Sequence, residues 1–425
     1  MLQHGQHDKR TITLGVRVML AALIAIYAAV ALAYAHFTPA WQAPDEPAHF
    51  NYVRYLADRG QLPVLQPGDY PGPQVVPIPP NQRVADLSPY RYESHQPPLF
   101  YALAALVYKA GGGVFALRAL SVLFGAVLLI VTFACARLAL PNRRWLWLGT
   151  VAFVAFIPMH LFDDGTIEND SLANLVVALL LLLCLLIANG WQPRWRWMVL
   201  GLLLGAALLT KVTIYLPAVA LVALSLWHRA GMRATAAATT FATAAALSGW
   251  WFIRNGLIYG WTDILIQNRQ KDVAAAQLQH QGFGLPELAG FTITSFHSFW
   301  GQFGWMTVPL TNRQYVVLEA LSAILILGVA ALIMRRWLAS TALLALGITW
   351  ASVLAGDLYY NLTFVQPQGR YLYPALVPIG IVAVAGFAAL FPARLRPAAV
   401  GTLSAAMLVF AVYVLRQDLI PAFRA

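Results

Sequence analysis

The stretch Thr13–Ala35, TLGVRVMLAALIAIYAAVALAYA, is followed almost at once by Ala43-Pro44-Asp45-Glu46-Pro47-Ala48-His49-Phe50. The first run carries a single charge, Arg17, and is long enough for a helix to cross about 30 Å of hydrocarbon. The second puts two adjacent carboxylates and a histidine where that helix would emerge into water. Ionisable groups pinned to a membrane surface lose solvation, so they mark a functional site unless they do something simpler. Here the simpler role is helix capping by Asp45 or Glu46.

Working outward, the same apolar character continues along the chain. Of 425 residues, 60% are hydrophobic and 11% charged, with a mean hydropathy of +0.65. Soluble domains carry roughly 25% charged residues, so a soluble enzyme is excluded. Continuous runs such as Leu172–Ala188 lack the alternation of barrel strands. The reading is an all-α polytopic membrane protein with a single transmembrane domain over residues 1–425. Its spans number about eleven, near 13–35, 114–139, 145–162, 169–189, 197–210, 213–228, 235–256, 316–334, 338–356, 371–391 and 397–415. Ala33-Tyr34-Ala35 has the look of a signal-peptidase site, but the apolar run is long for a signal segment, so a retained helix is expected.

The net charge of +11 would suggest nucleic acid in a soluble protein. Here the basic residues form short clusters between apolar runs, and no basic stripe with interleaved aromatics exists. Lys9-Arg10, Arg143-Arg144, Arg194/Arg196, Arg229/Arg233, Arg335-Arg336 and Arg394/Arg396 fall on alternate turns. The positive-inside rule then places the N-terminus and these turns in the cytoplasm. Cys135 and Cys184 lie within apolar runs and read as small core residues.

The outer loops, about 36–113, 257–315 and 357–370, are longer and carry the chemistry. The first contains Pro39, Pro44, Pro47 and ten further prolines up to Pro98, which suits an ordered, wrapping loop. Within it, Pro98–Lys109 reads as a short interfacial helix with its aromatics at headgroup depth. A second acidic cluster, Asp163-Asp164 with Glu168-Asn169-Asp170, is expected on the same face as Asp45. A solvated turn accounts for Asp164-Gly165 but less well for Glu168 and Asp170, which begin a span. Lys211, Arg254 and Arg370 oppose the charge rule on that face, and each either snorkels to headgroups or binds an anion such as a lipid phosphate. No phosphate-binding Gly-Lys-Ser/Thr loop, zinc spacing or internal repeat is present, so neither nucleotide hydrolysis nor an inverted-repeat transporter is supported.

Three motifs carry a resemblance: Pro44-Asp45-Glu46-Pro47-Ala48-His49, Ser298-Phe299-Trp300-Gly301-Gln302-Phe303-Gly304-Trp305, and Gly369-Arg370-Tyr371-Leu372-Tyr373-Pro374. They resemble the bacterial membrane-protein family called domain of unknown function 2142. The inner N-terminus, single span and long acidic outer loop are similar to the GT-C superfamily of membrane glycosyltransferases. His95-Gln96-Pro97-Pro98-Leu99-Phe100-Tyr101 resembles the Pro-Pro-Leu-Tyr stretch of related lipid-linked sugar transferases.

The resemblance implies a GT-C-like bundle, a sugar donor on polyprenyl phosphate, and a glycan, lipid or protein acceptor at the outer face of a bacterial inner membrane. It implies a carboxylate base, Asp45 or Glu46. We expect Asp45 as base, with Glu46 as its partner or, if a divalent cation is used, a metal ligand beside Asp45. Arg370 and Lys211 are expected on the phosphate, with inversion at the sugar. His49, His95, Glu168, Asp170, Arg254, Trp300, Trp305 and Tyr371 complete the expected substrate contacts. Three alternatives compete: a flippase of lipid-linked sugars, a polymerase or ligase of surface polysaccharide, and a scaffold in which Asp45 and Glu46 only cap a helix.

Overall fold

The computed structural model describes residues 13–70, 72, 86–141, 143–230, 234–275, 277, 282, 284–362 and 364–424. Lys9, Arg10, Arg233, Thr363 and the prolines from Pro71 to Pro80 lie outside the described residues. Most of the described residues are helical. The helices are α1 (Leu14–Phe37), α2 (Glu46–Arg59), α3 (Leu99–Lys109), α4 (Val114–Ala139), α5 (Arg144–Ala155), α6 (Pro158–Asp164), α7 (Asp170–Ala188) and α8 (Arg196–Leu208). They continue as α9 (Tyr215–Ala230), α10 (Ala234–Tyr259), α11 (Gln267–Val273), α12 (Leu285–Trp300), α13 (Asn312–Arg335), α14 (Ser340–Asn361), α15 (Leu376–Ala389) and α16 (Arg396–Val414). A two-residue ribbon, β1 (Gln302–Phe303) against β2 (Val308–Pro309), follows α12.

Seven helices are long and apolar enough to cross a membrane, and eight if the bent pair α5–α6 counts as one span. These cover eight of the expected spans. The other three fall on α8, α9 and α10. At 13 and 16 residues, α8 and α9 are short of the about 20 residues that a 30 Å crossing needs. α10 has 26 residues, but its Ala/Thr-rich sequence keeps it outside that set. The bend between α5 and α6 is 66° and sits before Pro158, whose ring blocks a continuous helix and suits the start of a new one.

Close packing in an apolar medium favours small residues at crossings. α13 and α15 cross at Gly328 and Gly386, where a Cβ on Gly328 would lie 2.5 Å from the Gly386 carbonyl carbon. One continuous core runs from Tyr27 on α1 through Trp147 and Phe153 on α5 to Ala411 on α16. α3 is short as expected, but Phe100 and Tyr101 are fully buried rather than at an interface. Tyr101 stacks on Tyr52 of α2 at 3.7 Å, which fastens the two ends of the first loop to each other.

Helix polarity sorts the charges. α7 and the span Gly369–Ala389 start at the ion network of the site described below, and α4 starts beside it, where Arg118 meets Glu46. They end near Arg143, Arg194/Arg196 and Arg394/Arg396, at the other end of the bundle. There Arg143 and Arg396 both cover the Trp337 ring, at 3.6 and 4.9 Å from its centroid.

Candidate functional site

Asp45 is the residue before α2, and its backbone carbonyl accepts from the amides of Ala48 and His49. Its side chain caps nothing: φ is +65°, a left-handed conformation that Asp tolerates better than most residues. The carboxylate turns away from the helix. Oδ1 accepts from the Tyr92 hydroxyl at 2.9 Å and Oδ2 from Arg370 Nη2 at 3.1 Å.

Arg370 is the hub. It lies on a 3-10 turn, Gly369–Ala375, that leads into α15. Nη1 donates to both oxygens of Glu168, at 2.8 and 2.6 Å, and Nε donates to Gln368 Oε1 at 2.7 Å. Asp163 Oδ1 lies 3.7 Å from Nη1. Gly369 permits this turn, because its amide donates to Ser298 Oγ at 2.7 Å and a Cβ there would collide with the backbone of Ser295 and Phe299. Lys211, just before the turn Val212–Ile214, donates to Asp170 Oδ1 at 2.5 Å and lies 3.9 Å from Glu168. Four carboxylates, Asp45, Asp163, Glu168 and Asp170, thus face two cations. Buried charges persist only when paired and hydrogen-bonded. Asp163 Oδ2 and Asp170 Oδ2 have no partner among the described residues.

Asp45 differs from the rest of this network in access. Its side chain is 27% exposed, against 2% for Arg370 and 3% for Glu168. It opens on a cavity of about 310 Å³ that also takes in His49, His95, Glu168, Lys211, Arg370 and Tyr371. Glu93 and Asp357 line it too, although neither stood out in the sequence.

Burial sets the protonation chemistry. It pushes Glu168 well above the usual carboxylate range, with Arg370 pulling the other way. It raises Glu93 to about 7, assisted by the charge of Asp45. It lowers His95 to about 4, so that ring is neutral at pH 7, and it also pulls His49 well down. Burial pulls the Lys211 ammonium down, but Asp170 and Glu168 outweigh it and its pKa ends up raised. His49 Nδ1 pairs with the Tyr101 hydroxyl at 2.7 Å, and His95 Nδ1 with the Tyr92 carbonyl at 2.8 Å.

Not every expected residue reaches the cavity. Glu46 is fully buried in a fork with Arg118 of α4, whose Nε and Nη2 donate at 2.7 and 2.6 Å. It also accepts from the amides of Trp41 and Ile167, at 2.9 and 3.2 Å. Both of its oxygens are taken up by these donors, and it does not line the cavity. Arg118 is occupied as well, donating to the carbonyls of Ala35, Thr38 and Pro39. This pair ties α1, α2, α4 and the α6–α7 turn together.

Arg254 points elsewhere, donating to the Pro63 carbonyl at 2.7 Å with Trp251 beneath it. Trp300 is buried against Phe153. Trp305 donates to the Trp41 carbonyl at 3.0 Å. The second motif is therefore a brace: Ser298 holds Gly369, Tyr373 donates to the Phe299 carbonyl at 2.8 Å, and Trp305 holds the approach to Asp45.

For a metal, the described residues offer Asp163, Glu168 and Asp170, with one carboxylate oxygen from each lying within 4.8 Å of the others. The two unpartnered oxygens and the surplus of negative charge fit a hard divalent cation. Of the pair anticipated from sequence, Glu46 is committed to Arg118, and Asp45 is outside this trio.

Comparison with known proteins bears on the fold. The chain is similar in structure to ArnT from Cupriavidus metallidurans bound to undecaprenyl phosphate, at 14% identity and a TM-score of 0.54, over 97% of this chain and 74% of that one. The apo form of the same protein matches at 15% identity and a TM-score of 0.50, over 95% of this chain and 74% of that one. The Archaeoglobus fulgidus oligosaccharyltransferase in complex with zinc and sulfate matches at 12% identity and a TM-score of 0.50, over 94% of this chain. This chain spans about half (53%) of that enzyme's length. At such identities the likeness is one of fold alone. No curated protein sequence matches the chain. The family model of the predicted membrane proteins DUF2142 matches residues 83–379, which is most of the sequence, and the chain belongs to that family.

Proposed function

We propose that this protein is a membrane glycosyltransferase that moves a sugar from a polyprenyl-phosphate donor to a hydroxyl of a glycan, lipid or protein. One observation carries the reading: Asp45 is the most exposed member of an otherwise buried ion network on the cavity wall, and its own side-chain bonds hold it there. That is what a general base needs, a fixed carboxylate within reach of the proton it takes. The fold shared with a protein seen bound to undecaprenyl phosphate supports a lipid-linked donor.

In this reading Asp45 Oδ accepts the proton of the acceptor hydroxyl as its oxygen attacks the anomeric carbon. The bond to phosphate breaks on the opposite face, which inverts the anomeric centre. Lys211 is the cation placed to meet the departing phosphate, since an ammonium with three donors keeps one free after Asp170 and Glu168 are served. Arg370 already makes four hydrogen bonds to protein, so it acts as a positioning residue that aims Asp45. A divalent cation, where used, would be held by Asp163, Glu168 and Asp170 and would add charge stabilisation near the leaving group. The Arg clusters at the far end of the bundle argue for a site on the outer face of a bacterial inner membrane, with the N-terminus inside.

The test is transfer from a panel of polyprenyl-phosphate sugars by purified protein in nanodiscs, wild type against Asp45→Asn. Transfer that disappears in the variant supports the reading. Tight donor binding without turnover under any acceptor would point to a flippase instead.

A further inference from the structure

Asp357 sits near the end of α14, on the wall of the cavity formed by Gly356, Tyr360, Phe364 and Tyr371. It is 6% exposed and forms no ion pair with any described residue. Asn361 Nδ2 donates to its Oδ1 at 3.0 Å, and Oδ2 has no partner among the described residues. A buried carboxyl oxygen left bare is unfavourable unless something else satisfies it.

The surroundings say what that something is. Tyr360 lies face to face with Phe364 at 5.1 Å and edge-on to Tyr371 at 6.3 Å, giving the wall an aromatic surface. An apolar, aromatic wall with one convergent carboxyl suits a ring bearing hydroxyl groups. The same wall is wired to the base. Asn361 Oδ1 accepts from the Gln366 amide at 3.1 Å, and Gln366 Oε1 accepts from Gln368 Nε2 at 2.9 Å. Gln368 Oε1 accepts from Arg370 Nε at 2.7 Å, and Arg370 Nη2 donates to Asp45 at 3.1 Å. An unbroken chain of hydrogen bonds thus runs from Asp357 to Asp45 along the segment 361–370.

Resting on the glycosyl-transfer reading, we propose that Asp357 is the sugar-recognition residue. Its free Oδ2 accepts a hydrogen bond from a ring hydroxyl of the transferred sugar, which stacks on the Tyr360–Tyr371 wall. The site then takes an uncharged sugar and rejects a uronic acid. Asp45, Glu93, Glu168 and Asp357 all face the cavity, Arg370 is bonded to protein, Lys211 meets the phosphate, and the other cation on the lining, Lys271, is exposed.

Asp357→Asn is a sharp probe, because Asn361 needs an acceptor and fixes the new amide oxygen at the Oδ1 position. The amide nitrogen then replaces Oδ2, turning an acceptor into a donor. The probes are decaprenyl-phosphate mannose, glucose, galactose, arabinose and glucuronic acid, bare decaprenyl phosphate, and the monodeoxy series of the best sugar. Kd and kcat/KM are measured for wild type and variant. We expect wild type to lose about 10- to 100-fold on one deoxy donor. The variant should lose as much on the parent sugar and nothing more on that deoxy donor, while binding bare decaprenyl phosphate as wild type does. Glucuronate should be the poorest donor for wild type and should gain in the variant.

A variant indistinguishable from wild type, or penalties that multiply for every deoxy donor, would overturn the sugar-recognition role and leave glycosyl transfer standing. If wild type turns nothing over, the same cycle is read in Kd. Sugar-bearing lipids bound no better than bare decaprenyl phosphate would overturn both readings together.

Discussion

Two arginine–carboxylate pairs lie side by side in this molecule, and the difference between them separates architecture from chemistry. Glu46–Arg118 is closed: both partners are buried, and every carboxylate oxygen meets a donor. Asp45–Arg370 is open: the arginine is buried while the carboxylate faces the cavity. Neighbouring residues of one dipeptide have therefore been given unlike work. The closed pair holds four chain segments at one point, and the open pair leaves one carboxylate at the cavity.

The sharpest way to break this contrast is Asp45→Asn, which should lower kcat/KM by about 10²- to 10⁴-fold while leaving Tm nearly unchanged. Normal turnover would put Asp45 with Glu46 as a structural group. Next in size, Arg118→Ala strands a buried carboxylate and should destabilise the fold by about 3–5 kcal/mol, seen as a drop in Tm and yield. The paired change Arg118→Met with Glu46→Leu should recover much of that loss. An unchanged Tm in Arg118→Ala would refute the closed pair. Arg370→Lys keeps the charge but not the fork, and should cost roughly 10-fold or more in kcat with little change in donor Kd. A loss confined to donor Kd would make Arg370 a phosphate ligand after all. Tyr92→Phe removes one hydrogen bond from Asp45 and should slow transfer about 3- to 10-fold.

The smallest effect concerns Glu93, which burial and the charge of Asp45 raise to about 7. Its contribution to stability is fully present below the unfolded value near 4.5 and is lost as pH rises through about 7. Glu93→Gln should therefore gain stability over wild type at pH 8 and lose that advantage at pH 5. Parallel Tm curves across that range would remove Glu93 from the network's charge balance.

Much of the fold was legible because hydrophobic runs and charge clusters report directly on a bilayer. The span test leaves out α8 and α9, which are apolar but short, and α10, which is long but Ala/Thr-rich. The site was legible where charge sat out of place: Glu168, Asp170, Lys211 and Arg370 each broke a local expectation, and the fold gathers them around Asp45. Arg118 was not legible, since one arginine near the start of an apolar helix looks like a snorkelling residue. Its partner is 72 positions away, and only packing reveals it. Asp357 hid for a similar reason, and Glu93 looked like an ordinary loop residue. Trp300 and Trp305 sit against Phe153 and the Trp41 carbonyl and do not line the cavity; aromatic motifs read alike whether they bind a ligand or brace a loop.

The left-handed backbone at Asp45 has a consequence for anyone reading variation at this position. A residue without a tolerant side chain pays roughly 1–2 kcal/mol to sit there, so a saturation library sorted for membrane yield alone should retain Asp, Asn and Gly. Sorting the survivors for transfer should retain Asp. Position 45 would then look invariant for two unrelated reasons, a turn and a proton, and only the gap between the two sorts tells them apart.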